Sequence, residues 1–251
     1  MMETFTKRTT GRPAHWEVAG LSWLAEQKSA GGADVVEVVG LDSGGLTESR
    51  VVETGASPDA ASDFGRRLAV THDVHDVNWG EGPRGWEGSG YRGPNQRLLD
   101  LPLTPQESWG VMYAENQLMS LVPDAGYDAT GVAVFERLAQ RLRDGEFETG
   151  DSPARLHGDL WSGNLMWTSD GCVLIDPSAH VGHRETDLAA LALFGCPYLD
   201  RIINGYNEVH PLAGGWGERV RLHQLSMVLM HAVVFGGGYR REALEIARAY
   251  G

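Results

Sequence analysis

The sequence predicts an α+β fold in two lobes, a small strand-and-helix lobe over residues 1–56 and a larger, mainly helical lobe over residues 57–251 that contains one polar hairpin. Three observations carry that prediction. Short β-branched runs bounded by glycines crowd into the first part of the chain. From Ser57 onward, apolar residues recur mostly at helical spacing. The length, 251 residues at 27.3 kDa, suffices for one large domain or for two small lobes around a cleft.

Phe5 to Arg8 reads as the end of a short strand, and Trp16 to Gln27 as an amphipathic helix with Val18, Leu21, Leu24 and Ala25 at helical spacing. Gly31 and Gly32 end that helix. Val35 to Val39 is then a strand, with Ser49 to Glu53 as a second one able to pair with it. Ser57 and Pro58 supply an N-cap and a first-turn proline for a helix running to about Asp73, with Ala61, Phe64, Leu68 and His72 on one face. Asn78 to Pro102 has no periodicity but carries Trp79, Trp86 and Tyr91 among glycines and prolines, the composition of an ordered functional loop.

Thr104-Pro105-Gln106-Glu107 has the form of a capping box, predicting a helix with Trp109, Met112, Tyr113 and Asn116. Asp128 starts another, with Val132, Phe135, Leu138, Ala139 and Leu142 as its buried stripe. Leu165 to Trp167 and Cys172 to Ile175 form a hairpin through Ser169-Asp170-Gly171. Helices over Glu185 to Phe194, Tyr198 to Asn207 and Glu218 to Phe235 complete the chain, and Gly236-Gly237-Gly238 reads as a helix terminus. Met227, Met230 and Val233 belong to the core.

The charge balance is 21 basic against 34 acidic residues, −13 overall. That argues against a protein that neutralises nucleic-acid phosphates or lies on anionic lipid. No apolar run reaches the roughly 20 residues of a membrane span, and the polar N-terminal stretch has no signal-peptide pattern. Cys172 and Cys196 are the only cysteines, which excludes a disulfide framework and suits a reducing, cytoplasmic location; both read as inert thiols.

The segment that carries chemistry is His157-Gly158-Asp159-Leu160-Trp161-Ser162-Gly163-Asn164. A carboxylate, four residues, an amide, and then a hairpin ending Leu174-Ile175-Asp176 is an arrangement suited to phosphoryl transfer. Asp159 would take the proton of an attacking hydroxyl, while Asn164 and Asp176 offer oxygens to Mg²⁺. A turn-shaping role explains any one of these residues; it does not explain all three in order with the hairpin between. Only two of the 21 basic residues are lysines. Lys7, at a strand end, followed by Glu17 on the next helix, matches the pair that orients a lysine toward nucleotide phosphates.

These stretches resemble the fructosamine-3-kinase family, relatives of the aminoglycoside phosphotransferases within the protein-kinase-like fold. The resemblance covers nearly the whole chain: Phe5 to Arg8, Glu17 to Ala25, Phe64 to His72, Trp109 to Glu115, His157 to Asn164, Ile175 to Pro177, Gly182 to Phe194 and His231 to Tyr239. It implies an ATP- and Mg²⁺-dependent kinase that phosphorylates the sugar 3-hydroxyl of a ketoamine, a fructosamine or ribulosamine, free or on glycated protein lysines, so that the adduct falls apart. By the same resemblance, Asp159 is the catalytic base, Asn164 and Asp176 are metal ligands, Lys7 and Glu17 anchor the nucleotide, and Trp161 lies beside the acceptor sugar. His231, on an apolar helix, reads either as a core histidine or as a sugar contact. Tyr91 and Asn95 are candidate substrate contacts in the long loop.

Alternatives remain at this level. An aminoglycoside- or choline-type phosphotransferase fits the same motif, and so does a non-catalytic descendant of the fold. In kinase-type lobes two strands and a glycine loop precede the lysine strand, whereas here only the short stretch from Met1 comes before Lys7, too few residues for a hairpin; the expectation is a small lobe truncated at its N-terminus, either by a late start or by real loss. His157, His180 and His183 with Asp159, Asp176 and Asp187 raise a zinc hydrolase, but no helix carries paired histidines of the metalloprotease kind. His183, Arg184 and Asp187 read instead as braces of the catalytic loop.

Overall fold

The computed structural model describes residues 3–75 and 77–251. Strand β1 (Thr4–Lys7) leads into helix α1 (Gly11–Ala25), followed by β2 (Asp34–Val35), β3 (Val38–Asp42) and β4 (Gly45–Ser49). An antiparallel sheet has the order β1-β4-β3. Its register sets Phe5 opposite Glu48 and Lys7 opposite Leu46. Because side chains alternate along a strand, these four share one face.

The strand predicted over Ser49 to Glu53 in fact lies over Gly45–Ser49. Glu48 is buried there, so a charged letter stands where a sequence pattern expects an apolar one. The run Val35 to Val39 is divided rather than continuous. Val35 pairs in parallel with a strand of the second half of the chain, and Val38 begins the sheet that holds β1.

Helix α2 (Pro58–His72) starts where Ser57 accepts a hydrogen bond from the Ala60 N–H at 3.2 Å. The long loop is ordered by a small hairpin, β5 (Gly90–Arg92) and β6 (Leu99–Leu101). The capping box at Thr104 does not form. Gln106 bridges to Trp79 and keeps that segment extended, so Ser108 becomes the cap of α3 (Trp109–Met112), accepting from the Val111 N–H. The same helix continues as a π-helical stretch, Tyr113–Met119. Asp128 caps α4 (Ala129–Arg143), as its position predicts.

Strands β7 (Ala154–Leu156), β8 (Leu165–Thr168), β9 (Gly171–Leu174) and β10 (His180–Gly182) build two further small sheets. β8 and β9 form the predicted hairpin with β2 added along β9, and β10 pairs with β7. Helices α5 (Arg184–Leu193), α6 (Leu199–Val209), α7 (Trp216–Phe235) and α8 (Gly237–Tyr250) follow. The triple glycine does end α7, but α8 was not foreseen. It is studded with charge and buries only Ala243, Ile246 and Ala247.

One core cluster gathers Trp109, Tyr113 and Phe135 with α7 and α8; another joins Phe64, Trp167 and Tyr206 beneath the hairpin. No helix among the described residues is long and apolar enough to cross a membrane. Helices α2 and α6 cross in backbone contact: a Cβ on Gly65 would run into the Ile202 carbonyl oxygen, and one on Gly205 into that of Ser62.

Alanine in a helix interior ordinarily gains about 1 kcal/mol over glycine. At Gly205 the crossing reverses the sign. Overpacking of roughly 2 kcal/mol predicts that Gly205→Ala lowers the melting temperature by about 4–8 °C. A calorimetric scan showing an unchanged or raised value would contradict the close crossing.

Candidate active site

The chain leaves β7 into the segment that bears Asp159, and its first residues are held by a buried carboxylate. Asp187, in the first turn of α5, accepts the backbone N–H of His157 at 2.7 Å and of Gly158 at 3.0 Å. Burial acts to raise the Asp187 carboxyl, but the hydrogen bond from His72 and the backbone donors outweigh it and hold it below the usual carboxylate range. His72 lies 3.2 Å from Asp187 and, through its other ring nitrogen, 2.8 Å from the Tyr206 hydroxyl. Gly158 has φ of 81°, and a Cβ there would meet the Ser178 carbonyl, so the position just before Asp159 admits glycine alone without a shift of the backbone.

Asp159 and Asp176, although distant in sequence, come together around one amide. The Asn164 side-chain N–H₂ donates to the Asp159 carbonyl at 2.7 Å, to the Asp159 carboxylate at 3.2 Å and to the Asp176 carbonyl at 3.5 Å. Asp176 itself has φ of 53°, a left-handed conformation uncommon outside glycine and a mark of local strain. From the opposite side comes Lys7, whose ammonium lies 2.6 Å from Glu17, 3.0 Å from Glu48 and in contact with Asp176. All five predicted polar residues, Lys7, Glu17, Asp159, Asn164 and Asp176, line one cavity of about 480 Å³. Tyr91, Trp161 and His231 line its other side.

A sequence model of the fructosamine kinase family matches residues 15–250. The chain belongs to the fructosamine kinase family. A Thermobifida fusca protein provisionally named a fructosamine-3-kinase superposes with a TM-score of 0.87 at 38% identity, over 99% of this chain and 85% of that one. The probable ketoamine kinase of Vibrio parahaemolyticus is 30% identical over 74% of this chain and 62% of its own length. An aminoglycoside phosphotransferase solved with ADP and hygromycin B aligns with a TM-score of 0.57 at 12% identity, over 93% of this chain and 83% of that one, a likeness of fold. The chain spans between about half and three fifths of the length of the first curated relatives it matches.

Sequence reasoning missed Glu48 in this family member. Its signal was weak, a lone acid in a short strand, and its partner became visible only through the β1–β4 register. Three carboxylates therefore share one ammonium. Burial by itself would lower the Lys7 ammonium, but Glu17 and Asp176 outweigh it and hold it well above its ordinary range. Glu17 is pushed up to about 7, chiefly by burial and further by Asp176 and Glu48, with Lys7 opposing. Glu48 is raised for the same leading reason. The cluster is short of positive charge, and its oxygen donors suit a hard divalent cation. Burial also raises the Asp159 carboxyl, with His157 and Asn164 opposing.

Elsewhere along the same cavity, Trp161 is 39% exposed. His231 is half-buried, with its Nδ1 at 2.8 Å from the Met227 carbonyl. Tyr91 contributes its backbone as well as its ring, since its carbonyl accepts from the Trp16 indole and the Ser178 hydroxyl. Asn95 donates to the Thr9 hydroxyl at 3.3 Å and lines the same cavity.

Of the three expected braces, Asp187 alone touches the loop that bears Asp159. His183 bonds Thr149, and Arg184 bonds Asp151 and the carbonyls of His210 and Pro211. The residues raised for a zinc site do not assemble as one. His180 is engaged with the Ser178 carbonyl and Gln117. His183 instead lies near Glu185 and His223, where the Arg219 guanidinium already occupies the Glu185 carboxylate at 2.5 and 2.9 Å. Burial raises both thiols, Cys196 to about 11.

The raised Glu17 has a definite linkage sign. The folded chain keeps the Glu17 proton up to about pH 7, whereas an unfolded glutamate releases it near 4.5. The stability this proton provides is full below pH 4.5 and is lost as pH rises through 7. Glu17→Gln cannot titrate, so the stability of the wild type relative to this variant is expected to fall as pH increases across that window. Urea melts of both proteins from pH 4.5 to 8 check it; a difference that stays level or grows with pH would contradict the charge-poor cluster.

Proposed function

We propose that this chain carries the catalytic site of an ATP-dependent kinase that phosphorylates the 3-hydroxyl of the sugar in a ketoamine, a fructosamine or ribulosamine, and so promotes release of the amine. The observation that carries this reading is the meeting of Asp159 and Asp176 around the Asn164 amide, with the Lys7 ammonium in contact with Asp176 in the same cavity. Family membership and the ketoamine kinases among its relatives support the substrate class. The ADP complex of a protein with the same fold supports the nucleotide.

In this reading Asp159 accepts a hydrogen bond from the acceptor hydroxyl and takes its proton as the oxygen bonds to the terminal phosphorus and ADP departs. Its burial makes it a better proton acceptor than a solvated aspartate. Lys7, oriented by Glu17 and Glu48, turns to the nucleotide phosphates. Asn164 and Asp176 would hold Mg²⁺, which supplies charge neutralisation on the phosphate oxygens. Trp161 offers its indole face to the C–H surface of the sugar, and His231 and Tyr91 bound the acceptor side. The acceptor is a free ketoamine or one on a protein lysine; the Trp161 side is open enough for either.

The test is ADP formation with ribulosyl-lysine and fructosyl-lysine. The wild type is expected to turn over at least one of them, and Asp159→Asn to lower kcat by roughly 10²- to 10⁴-fold. Equal turnover by the two proteins would remove Asp159 from the chemistry.

A further inference from the structure

Beyond Trp161, the rim of the cleft carries further aromatic side chains, two of them largely exposed and the third, Tyr239, partly buried against the core. Phe194 closes α5, Phe235 ends α7, and Tyr239 stands in the first turn of α8. Phe194 is 43% exposed and Phe235 is 61% exposed. The rings form one continuous surface. Trp161 lies 6.3 Å from Phe194, Phe194 lies 5.3 Å from His231, and His231 lies 5.6 Å from Phe235 and 5.0 Å from Tyr239. All line the cavity that holds Asp159. A contiguous exposed apolar patch beside a polar site marks a ligand contact.

The charges around this surface select further. The cations lining the cavity are Lys7, committed to three carboxylates, and Arg92, buried against Gln117 and Ser120. Glu17, Asp159 and Asp176 line it as well. His231 joins the rings, with its Nδ1 donating to the Met227 carbonyl. Aromatic faces and carboxylates both favour a ligand that is cationic and apolar. Arg97, beside Phe235, has its guanidinium engaged by the Val234 carbonyl.

We propose that Phe194, Phe235 and Tyr239 form the subsite for the amine half of the acceptor, favouring ketoamines whose nitrogen bears an aromatic or extended apolar group and disfavouring those whose nitrogen bears a carboxylate-containing group. This rests on the ketoamine kinase reading of the same cleft. The secondary ammonium faces the rings, the substituent lies along Phe235 and Tyr239, and the sugar reaches Asp159.

Calorimetric binding of fructosyl-benzylamine and fructosyl-glycine to the wild type, Phe235→Ala and Phe235→Tyr tests it, with ADP formation measured in parallel. Stacking and cation–π contact predict that the wild type binds the benzylamine adduct about tenfold more tightly. Phe235→Ala should bring the ratio to within about twofold, mainly by weakening that adduct, and Phe235→Tyr should restore it. Phe235 is exposed at a helix end, so its truncation opens no core cavity, and a matching melting temperature verifies the fold. Equal wild-type affinities, a ratio that survives Phe235→Ala, or no binding of either adduct would overturn the proposal. Turnover of both adducts with equal affinities would sink this subsite and leave the kinase reading standing; a ratio present without any ADP formation would do the reverse.

Discussion

One unbalanced charge cluster organises the site. The Lys7 ammonium is drawn on by carboxylates from helix α1, strand β4 and the turn after β9. Each comes from a different part of the chain, so the contact ties the β1 sheet, α1 and the hairpin segment together. Three negative charges against one positive leave the cluster wanting a cation, and Glu17 meets part of that need by keeping a proton to about pH 7. A nucleotide bearing a divalent ion would meet it differently, by neutralising Asp176 and freeing Lys7 for phosphate.

A second constraint is the anchoring of the loop before Asp159. A fully buried Asp187 receives two consecutive backbone N–H groups, and His72 with Tyr206 orients it from behind. The close passage of Gly158 by Ser178 brings the Asp159 segment and the Asp176 segment side by side. Asn164 then bridges them with a single amide. Position here comes from buried hydrogen bonds rather than from flexible surface groups, which suits a reaction that depends more on orientation than on a strong base.

Much of this was legible in the residues, for identifiable reasons. The spacing of Asp159, Asn164 and Asp176 around a hairpin is local, and Lys7 stood out because lysine is scarce. Glu48 was hidden because its partner is reached only through the β1–β4 register, which depends on tertiary structure. Gln106 pairing with Trp79 overrode a local capping pattern, and α8 escaped notice because its apolar stripe is only three residues wide where it is buried. Arg184 and His183 looked like braces of the catalytic loop from proximity in sequence, but their hydrogen bonds run to Asp151, Thr149 and the segment after α6. The aromatic rim was invisible as a unit, since Phe194, Phe235 and Tyr239 come from three helices.

The most direct measurement is a crystal structure of the protein soaked with Mg²⁺ and a non-hydrolysable ATP analogue. The account predicts an ion about 2.1 Å from oxygens of Asp176 and Asn164, with the Lys7 ammonium turned from Asp176 to the phosphates while keeping Glu17. A nucleotide bound with its ion away from Asp176 and Asn164, or with Lys7 still locked among its three carboxylates, would contradict it.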